Sequence, residues 1–127
     1  MKPIDWIIHF ITDHYGLGGT INSHTHGMER YGHMDFQLVL PYEPGEIGYL
    51  LNGIGQRVQS GERFAAGDMV SGLYLDCDIR LDLHIETGRQ VLRLIVPDEN
   101  NRFPENRFCM APYRFQTQRM FEEAYEQ

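Results

Sequence analysis

The stretch IRLDLHIETGRQVLRLIV (residues 79–96) carries the clearest β-strand pattern in the chain. Apolar and polar residues alternate strictly from Ile79 to Ile85, and Gly88 predicts a turn. A second apolar run extends from Gln90 to Val96, where Pro97 stops it. The stretch therefore predicts two strands separated by a turn.

Upstream of this stretch, the spacing of apolar residues predicts further strands at residues 20–26, 36–40 and 69–75. Two helices are also predicted. The first covers residues 3–15, where the apolar residues at helical spacing are Ile4, Ile7, Ile8, Ile11 and Tyr15. The second covers residues 44–61, where they are Ile47, Leu50, Leu51, Ile54 and Val58.

The remaining part of the chain follows Pro97. The Asn-, Arg- and Pro-rich residues 97–113 predict an ordered irregular loop. A short terminal helix is predicted after it, with Met120, Phe121, Ala124 and Tyr125 on one side.

The strands come in consecutive groups and do not alternate one for one with helices, which favours an α+β fold. We predict a single domain over residues 1–127, with a largely antiparallel or mixed sheet of about five strands packed against two main helices. A chain of 127 residues is long enough to bury one ordinary core.

The formal net charge of −7 makes nucleic acid and anionic membrane surfaces poor partners. No run approaches the roughly 18 to 20 apolar residues of a membrane span. The chain has two cysteines and no recognisable export signal, so we expect a cytoplasmic protein with reduced thiols.

A candidate metal site is the sequence His24-Thr25-His26. Residues two apart on a strand point the same way, so both imidazoles could reach one ion. The string resembles the first metal-binding strand of amidohydrolases, but the chain is too short for their barrel of about 250 residues. The alternative is that one imidazole packs against the sheet and the other lies at the surface. We predict no cofactor. The alternative is a divalent transition metal bound by His24, His26 and His33, in which Glu29 could take the place of His33 as the third ligand.

Two further groups of polar residues have both a structural and a functional interpretation. His9 lies between Asp5 and Asp13 at helical spacing and is interpreted as a solvated side chain. Asp98 and Arg102 follow the last predicted strand, and they either face a pocket or form an ion pair that stabilises a turn.

The ordered set of motifs over most of residues 20–104 resembles a bacterial family, domain of unknown function 4262. The matching segments are Thr25-His26-Gly27-Met28, Gly32-His33-Met34-Asp35, Leu50-Leu51-Asn52, Val58 to Gly61, Phe64, Gly67, Val91 to Asp98 and Arg102-Phe103-Pro104. Met34 departs from the family's usual Pro, and Glu105 from its common Trp. The family implies no established activity, so the resemblance supplies an alignment and no mechanism.

Three hypotheses for function follow. The first is a bacterial protein that binds a small molecule or a protein partner where strands end. Its site residues would be His26, His33, Asp35, Asp98 and Arg102. The second is a metal-dependent hydrolase that uses the H-x-H site. The third is an immunity-type or dimerising interaction protein, which would form a homo-oligomer. Whether the protein is an enzyme stays open at this point.

Overall fold

The computed structural model describes residues 2–11, 16–86 and 88–119. Its strands and its long helix occur along the chain as β1 (Ile7–Ile11), β2 (Asn22–His26), β3 (Asp35–Leu38), α1 (Pro44–Gln59), β4 (Met69–Val70), β5 (Ile79–Glu86) and β6 (Arg89–Ile95). Short 3₁₀ turns occupy Leu17–Gly19, Met28–Tyr31 and Tyr113–Phe115.

The strands form one six-stranded sheet in the order β1-β2-β3-β6-β5-β4. Strands β3 and β6 are parallel, and the other neighbouring pairs are antiparallel. The predicted α+β class with a mixed sheet is confirmed. The predicted count of about five strands and two main helices is corrected to six strands and one main helix within the described residues.

The hydrophobic core lies between α1 and one face of the sheet. The five residues that predicted this helix are all buried, as are Phe36 and Leu92 on the strands opposite. Pro44 lies in the first helical turn, where its missing N–H has no helical partner to lose. The prediction of a helix over residues 44–61 is therefore confirmed to within two residues at its end.

The other face of the sheet is polar near its centre. Strand register aligns five residues in one row across it: His9, His24, Gln37, Arg93 and Asp82. The segment after β6 contacts this face, because the backbone carbonyls of its residues 116 and 118 accept hydrogen bonds from the buried guanidinium in this row.

The predicted first helix is wrong over its described part, because residues 7–11 form β1 at the edge of the sheet. The helical prediction assumed that the isoleucine stripe is buried, yet Ile4 is 44% exposed and Ile7 is 58% exposed. Trp6 is buried in the core and Ile8 packs partly against it, and β1 is held by antiparallel pairing with β2. Residues 12–15, the end of the predicted helix, lie outside the described residues.

Two other predictions differ in extent. The predicted strand at residues 69–75 is only Met69–Val70, because Gly72 adopts a left-handed backbone with φ +91° that interrupts an extended strand. The predicted terminal helix lies outside the described residues. The predicted irregular loop at residues 97–113 is confirmed. No helix within the described ranges is long and apolar enough to cross a lipid bilayer.

Glycine 55 is required by the packing of Trp6 on α1. A methyl group at Gly55 would lie 2.7 Å from Trp6 Cζ2, whereas one at Gly48 in the same helix would meet nothing closer than 3.9 Å. We expect Gly55→Ala to lower the free energy of unfolding by about 1–3 kcal/mol through overpacking. Gly48→Ala is the matched control and should raise it by about 1 kcal/mol. Urea unfolding of both variants measures the difference, and two changes of the same sign would contradict this packing.

Histidine 84 should make the fold sensitive to mild acid. The pKa of His84 is lowered to about 4, mainly by burial and also by the charge of Arg93, while Asp82 opposes the shift. Between about pH 6.5 and pH 4 the unfolded chain therefore takes up a proton that the folded chain does not, so stability falls as the pH falls through this window. We expect His84→Gln to lose less stability than the wild type over this window. Parallel curves of unfolding free energy against pH would show that His84 plays no such part.

Candidate metal centre

Three histidines meet on the polar face at the edge of the sheet. His9 of β1 lies directly opposite His24 of β2 in the register, and His26 follows on the same face. The ring centroid of His26 is 4.2 Å from that of His9 and 4.8 Å from that of His24. One candidate ligand atom from each of these residues lies within 4.8 Å of the other two. We call this group the histidine cluster.

The spacing between two of these rings is close to that of ligands on one ion. The Nε2 atoms of His24 and His26 are 3.1 Å apart. A tetrahedral ion with zinc–nitrogen bonds of about 2.0–2.1 Å places two ligand nitrogens roughly 3.3 Å apart. His9 is exposed, so rotation of its side chain could close the remaining distance.

The protonation state of these rings suits metal binding. The pKa of His24 is lowered to about 4, mainly by burial and also by the neighbouring His26, Arg89 and His9, while Asp35 opposes the shift. Burial also lowers the pKa of His26, again with contributions from Arg89 and His9. Both imidazoles are therefore neutral near pH 7, which is the form that binds metal ions.

A chain of buried hydrogen bonds lies behind His24. Its Nδ1 is 3.1 Å from Asn22 Oδ1, and that oxygen accepts a second hydrogen bond from Gln37 Nε2 at 3.1 Å. Gln37 Oε1 in turn accepts a hydrogen bond from Arg93 Nε at 2.6 Å. Outer partners of this kind orient metal-binding histidines and raise their affinity.

The histidine cluster opens onto a cavity of about 130 Å³. His24 and His26 form part of its wall, and the other lining residues are Ile11, Asn22, Glu86, Arg89 and Val91. Arg89 is held by Asp35, whose Oδ2 lies 2.7 Å from Arg89 Nη1. Since one water occupies about 30 Å³ in the liquid, the cavity has room for a few waters or a small ligand.

His33 lies outside the histidine cluster. Its Nε2 accepts a hydrogen bond from the backbone N–H of Phe64 at 3.0 Å, and its Nδ1–H donates a hydrogen bond to the carbonyl of Met34 at 2.8 Å. Both ring nitrogens are therefore occupied. The structure thus does not group His33 with His24 and His26, and it places His9 beside those two histidines instead.

Asp35 lies near the cluster but has structural partners. Its carboxylate accepts hydrogen bonds from the hydroxyl of Thr25 at 2.9 Å and from the backbone N–H of Met28 at 3.1 Å, and it binds Arg89. These contacts hold the turn that follows β2 and position Arg89 at the cavity.

Asp98 and Arg102 lie at the opposite end of the sheet. Asp35 pairs with Val91 near the beginning of β6, whereas Asp98 follows the end of that strand. Val91 and Ile95 alone are about 13 Å apart along an extended strand. The five residues predicted as one site are therefore divided between two locations.

The contacts of Asp98 favour the ion-pair interpretation. Its carboxylate accepts hydrogen bonds from the backbone N–H groups of Asn100, Arg102 and Met110, at 2.9–3.0 Å, and from Arg102 Nε at 3.2 Å. These partners hold the irregular loop in place.

The sequence interpretation missed His9 as a member of the site. It placed His9 on a helix between Asp5 and Asp13, whereas Asp5 binds Tyr31 and Arg30 in the structure. The missed signal was the dense run of β-branched residues at 7–11, which is as compatible with an edge strand as with a helix.

Comparisons with protein-family models, curated proteins and solved structures found no match for this chain. The resemblance to domain of unknown function 4262 therefore stays a prediction.

Proposed function

We propose that this protein binds one divalent transition-metal ion through His9, His24 and His26. The observation that carries the proposal is the convergence of three imidazoles, two of which are buried or half-buried and have lowered pKa values. Imidazole ligands suit zinc, copper, nickel and iron, whereas calcium and magnesium prefer oxygen. Zinc is the ion we expect to fit best, because it accepts three histidines readily in tetrahedral geometry.

Three protein ligands leave a fourth position open, which is typical of catalytic zinc sites and not of structural ones. The cavity beside His24 and His26 gives that position space for a water or a small ligand. The earlier hypothesis of small-molecule binding is kept in this form, with the ligand next to the metal.

The same cavity supports a hydrolytic reaction as the chemistry to test. Zinc lowers the pKa of a bound water to about 7, so that a nucleophilic hydroxide forms at neutral pH. Glu86 is buried and lines the same cavity, and we propose its carboxylate, one oxygen of which is bound by Arg93 at 2.9 Å, as the acceptor for the proton of that water. We therefore propose a metal-dependent hydrolase that acts on a small substrate.

Metal titration of protein purified without a histidine tag tests the binding site. After removal of metal with a chelator, we expect one equivalent of Zn²⁺ by calorimetry, and a tetrahedral visible spectrum with Co²⁺. Each of the single variants His9→Gln, His24→Gln and His26→Gln should lower the affinity for Zn²⁺ by at least about tenfold, since each removes one ligand.

The control variant is His33→Gln, which should retain both stoichiometry and affinity. Loss of binding in His33→Gln together with unchanged binding in His9→Gln would instead support the ligand set of His24, His26 and His33. Absence of any saturable binding would refute the metal site.

Hydrolysis is tested separately with the zinc-loaded protein. We expect turnover of small activated carboxylic or phosphoric esters that the metal-free protein and His26→Gln do not show. Full metal binding without turnover of any such ester would leave a binding protein and refute the hydrolase.

A further inference from the structure

We propose that Arg93, acting through Gln37 and Asn22, holds His24 in the tautomer with its proton on Nδ1, so that the unprotonated Nε2 faces His26. Arg93 is thus a positioning residue for the histidine cluster. The inferred benefit for metal binding rests on the proposed function, but the tautomer itself is a property of the metal-free protein.

The first step is the direction of the bond between Arg93 and Gln37. A guanidinium donates hydrogen bonds and accepts none, so Gln37 must present its carbonyl oxygen to Arg93 Nε. Both side chains are completely buried, so water cannot offer Gln37 another partner. The amide nitrogen of Gln37 must then point the other way, toward Asn22.

Three further N–H groups of Arg93 hold the guanidinium in place. They donate to the Glu86 carboxylate at 2.9 Å and to the backbone carbonyls of Gln116 and Gln118. Burial lowers the pKa of Arg93 to about 10 despite the nearby Glu86, which still leaves the group charged at neutral pH. Arg93 Nε is therefore always protonated and always a donor to Gln37 at neutral pH.

The second step is the orientation of Asn22. The Gln37 nitrogen donates, so Asn22 must present its oxygen. The same oxygen lies 3.1 Å from His24 Nδ1, and an amide oxygen can only accept. Nδ1 must therefore carry the hydrogen. A neutral imidazole has one ring hydrogen, so Nε2 of His24 has a free lone pair.

The third step concerns His26, whose Nε2 lies 3.1 Å from His24 Nε2. Since the His24 atom accepts, the His26 atom donates, and His26 has the opposite tautomer in the metal-free protein. His24 is therefore ready to bind an ion, whereas His26 must release its Nε2 proton to solvent and take one up on Nδ1. This exchange moves one proton between the two nitrogens and changes no net charge.

Long-range nitrogen–proton NMR spectra of the metal-free protein, labelled with ¹⁵N in its histidines, test these assignments. We expect His24 to be protonated on Nδ1 and His26 on Nε2 near neutral pH. The reverse tautomer at His24 would overturn the proposal, whether or not the protein binds metal.

The decisive variant is Gln37→Glu, which keeps the shape of the side chain. Beside Arg93 the new carboxylate stays ionised, and it presents only acceptors to Asn22. The amide of Asn22 must then turn its nitrogen toward both neighbours, which moves the His24 proton to Nε2. We expect this inversion in the NMR spectrum and a loss of Zn²⁺ affinity of at least about tenfold.

The matched control is Asp82→Asn, which changes the charge on the other side of Arg93 in the same row of the sheet. Asp82 binds Arg80 and takes no part in the bonds that lead to His24, so both readouts should stay as in the wild type. An unchanged His24 tautomer in Gln37→Glu would refute the positioning role. If instead the wild-type tautomer is as stated and inverts in Gln37→Glu, but no metal binds, the proposed function alone fails.

Discussion

The fully buried guanidinium of Arg93 in the central strand β6 is the constraint around which the polar half of the structure is arranged. A buried cation without partners costs several kcal/mol, so each of its donors must find an acceptor when the chain folds. Glu86 supplies the opposite charge at 2.9 Å, and Gln37 supplies a neutral oxygen at 2.6 Å. The backbone carbonyls of residues 116 and 118 accept two further hydrogen bonds from the guanidinium, which holds the segment after β6 against the sheet.

This requirement also explains why the histidine cluster and the C-terminal segment belong to one hydrogen-bond network. The sheet register places Gln37 between Arg93 and His24, each on a neighbouring strand. The side-chain amides of Gln37 and Asn22 each have only one orientation that satisfies both neighbours, because the Arg93 guanidinium donates hydrogen bonds and cannot accept them. Buried polar networks are rigid when their members are paired, whereas one wrongly oriented member leaves a buried donor or acceptor unpaired.

Much of the fold could be predicted from local pattern. Helix α1 and strands β5 and β6 have strong periodicity, and the shared face of His24 and His26 follows from strand geometry alone. The N-terminal segment could not be assigned in this way, because the spacing of its isoleucines satisfies a helix as well as an exposed edge strand. Its pairing with β2 is a tertiary contact that periodicity does not report, and that contact is what brings His9 to the cluster.

The candidate site was less predictable than the fold, and for a related reason. A residue at the end of a strand lies at one of the two ends of the sheet, and only the pairing of strands decides which. The parallel pairing of β3 with β6 separates Asp98 from Asp35, although both flank predicted strands in the sequence. Arg93 could not be assigned to the site for the same reason. It lies within an apolar run of the sequence, and its hydrogen-bond partner Gln37 is 56 residues away along the chain, so only the pairing of strands brings them together.

The position of the histidine cluster at the sheet edge divides its ligands into two kinds. His24 is 9% exposed and is oriented by bonds that lead to the central strands, so its geometry is set before any ion arrives. His9 belongs to an edge strand and is exposed, so it can adjust to the ion at little cost in packing. Because the ion would connect β1 to β2 through side chains as well as backbone pairing, its binding free energy would add to the stability of this edge of the sheet.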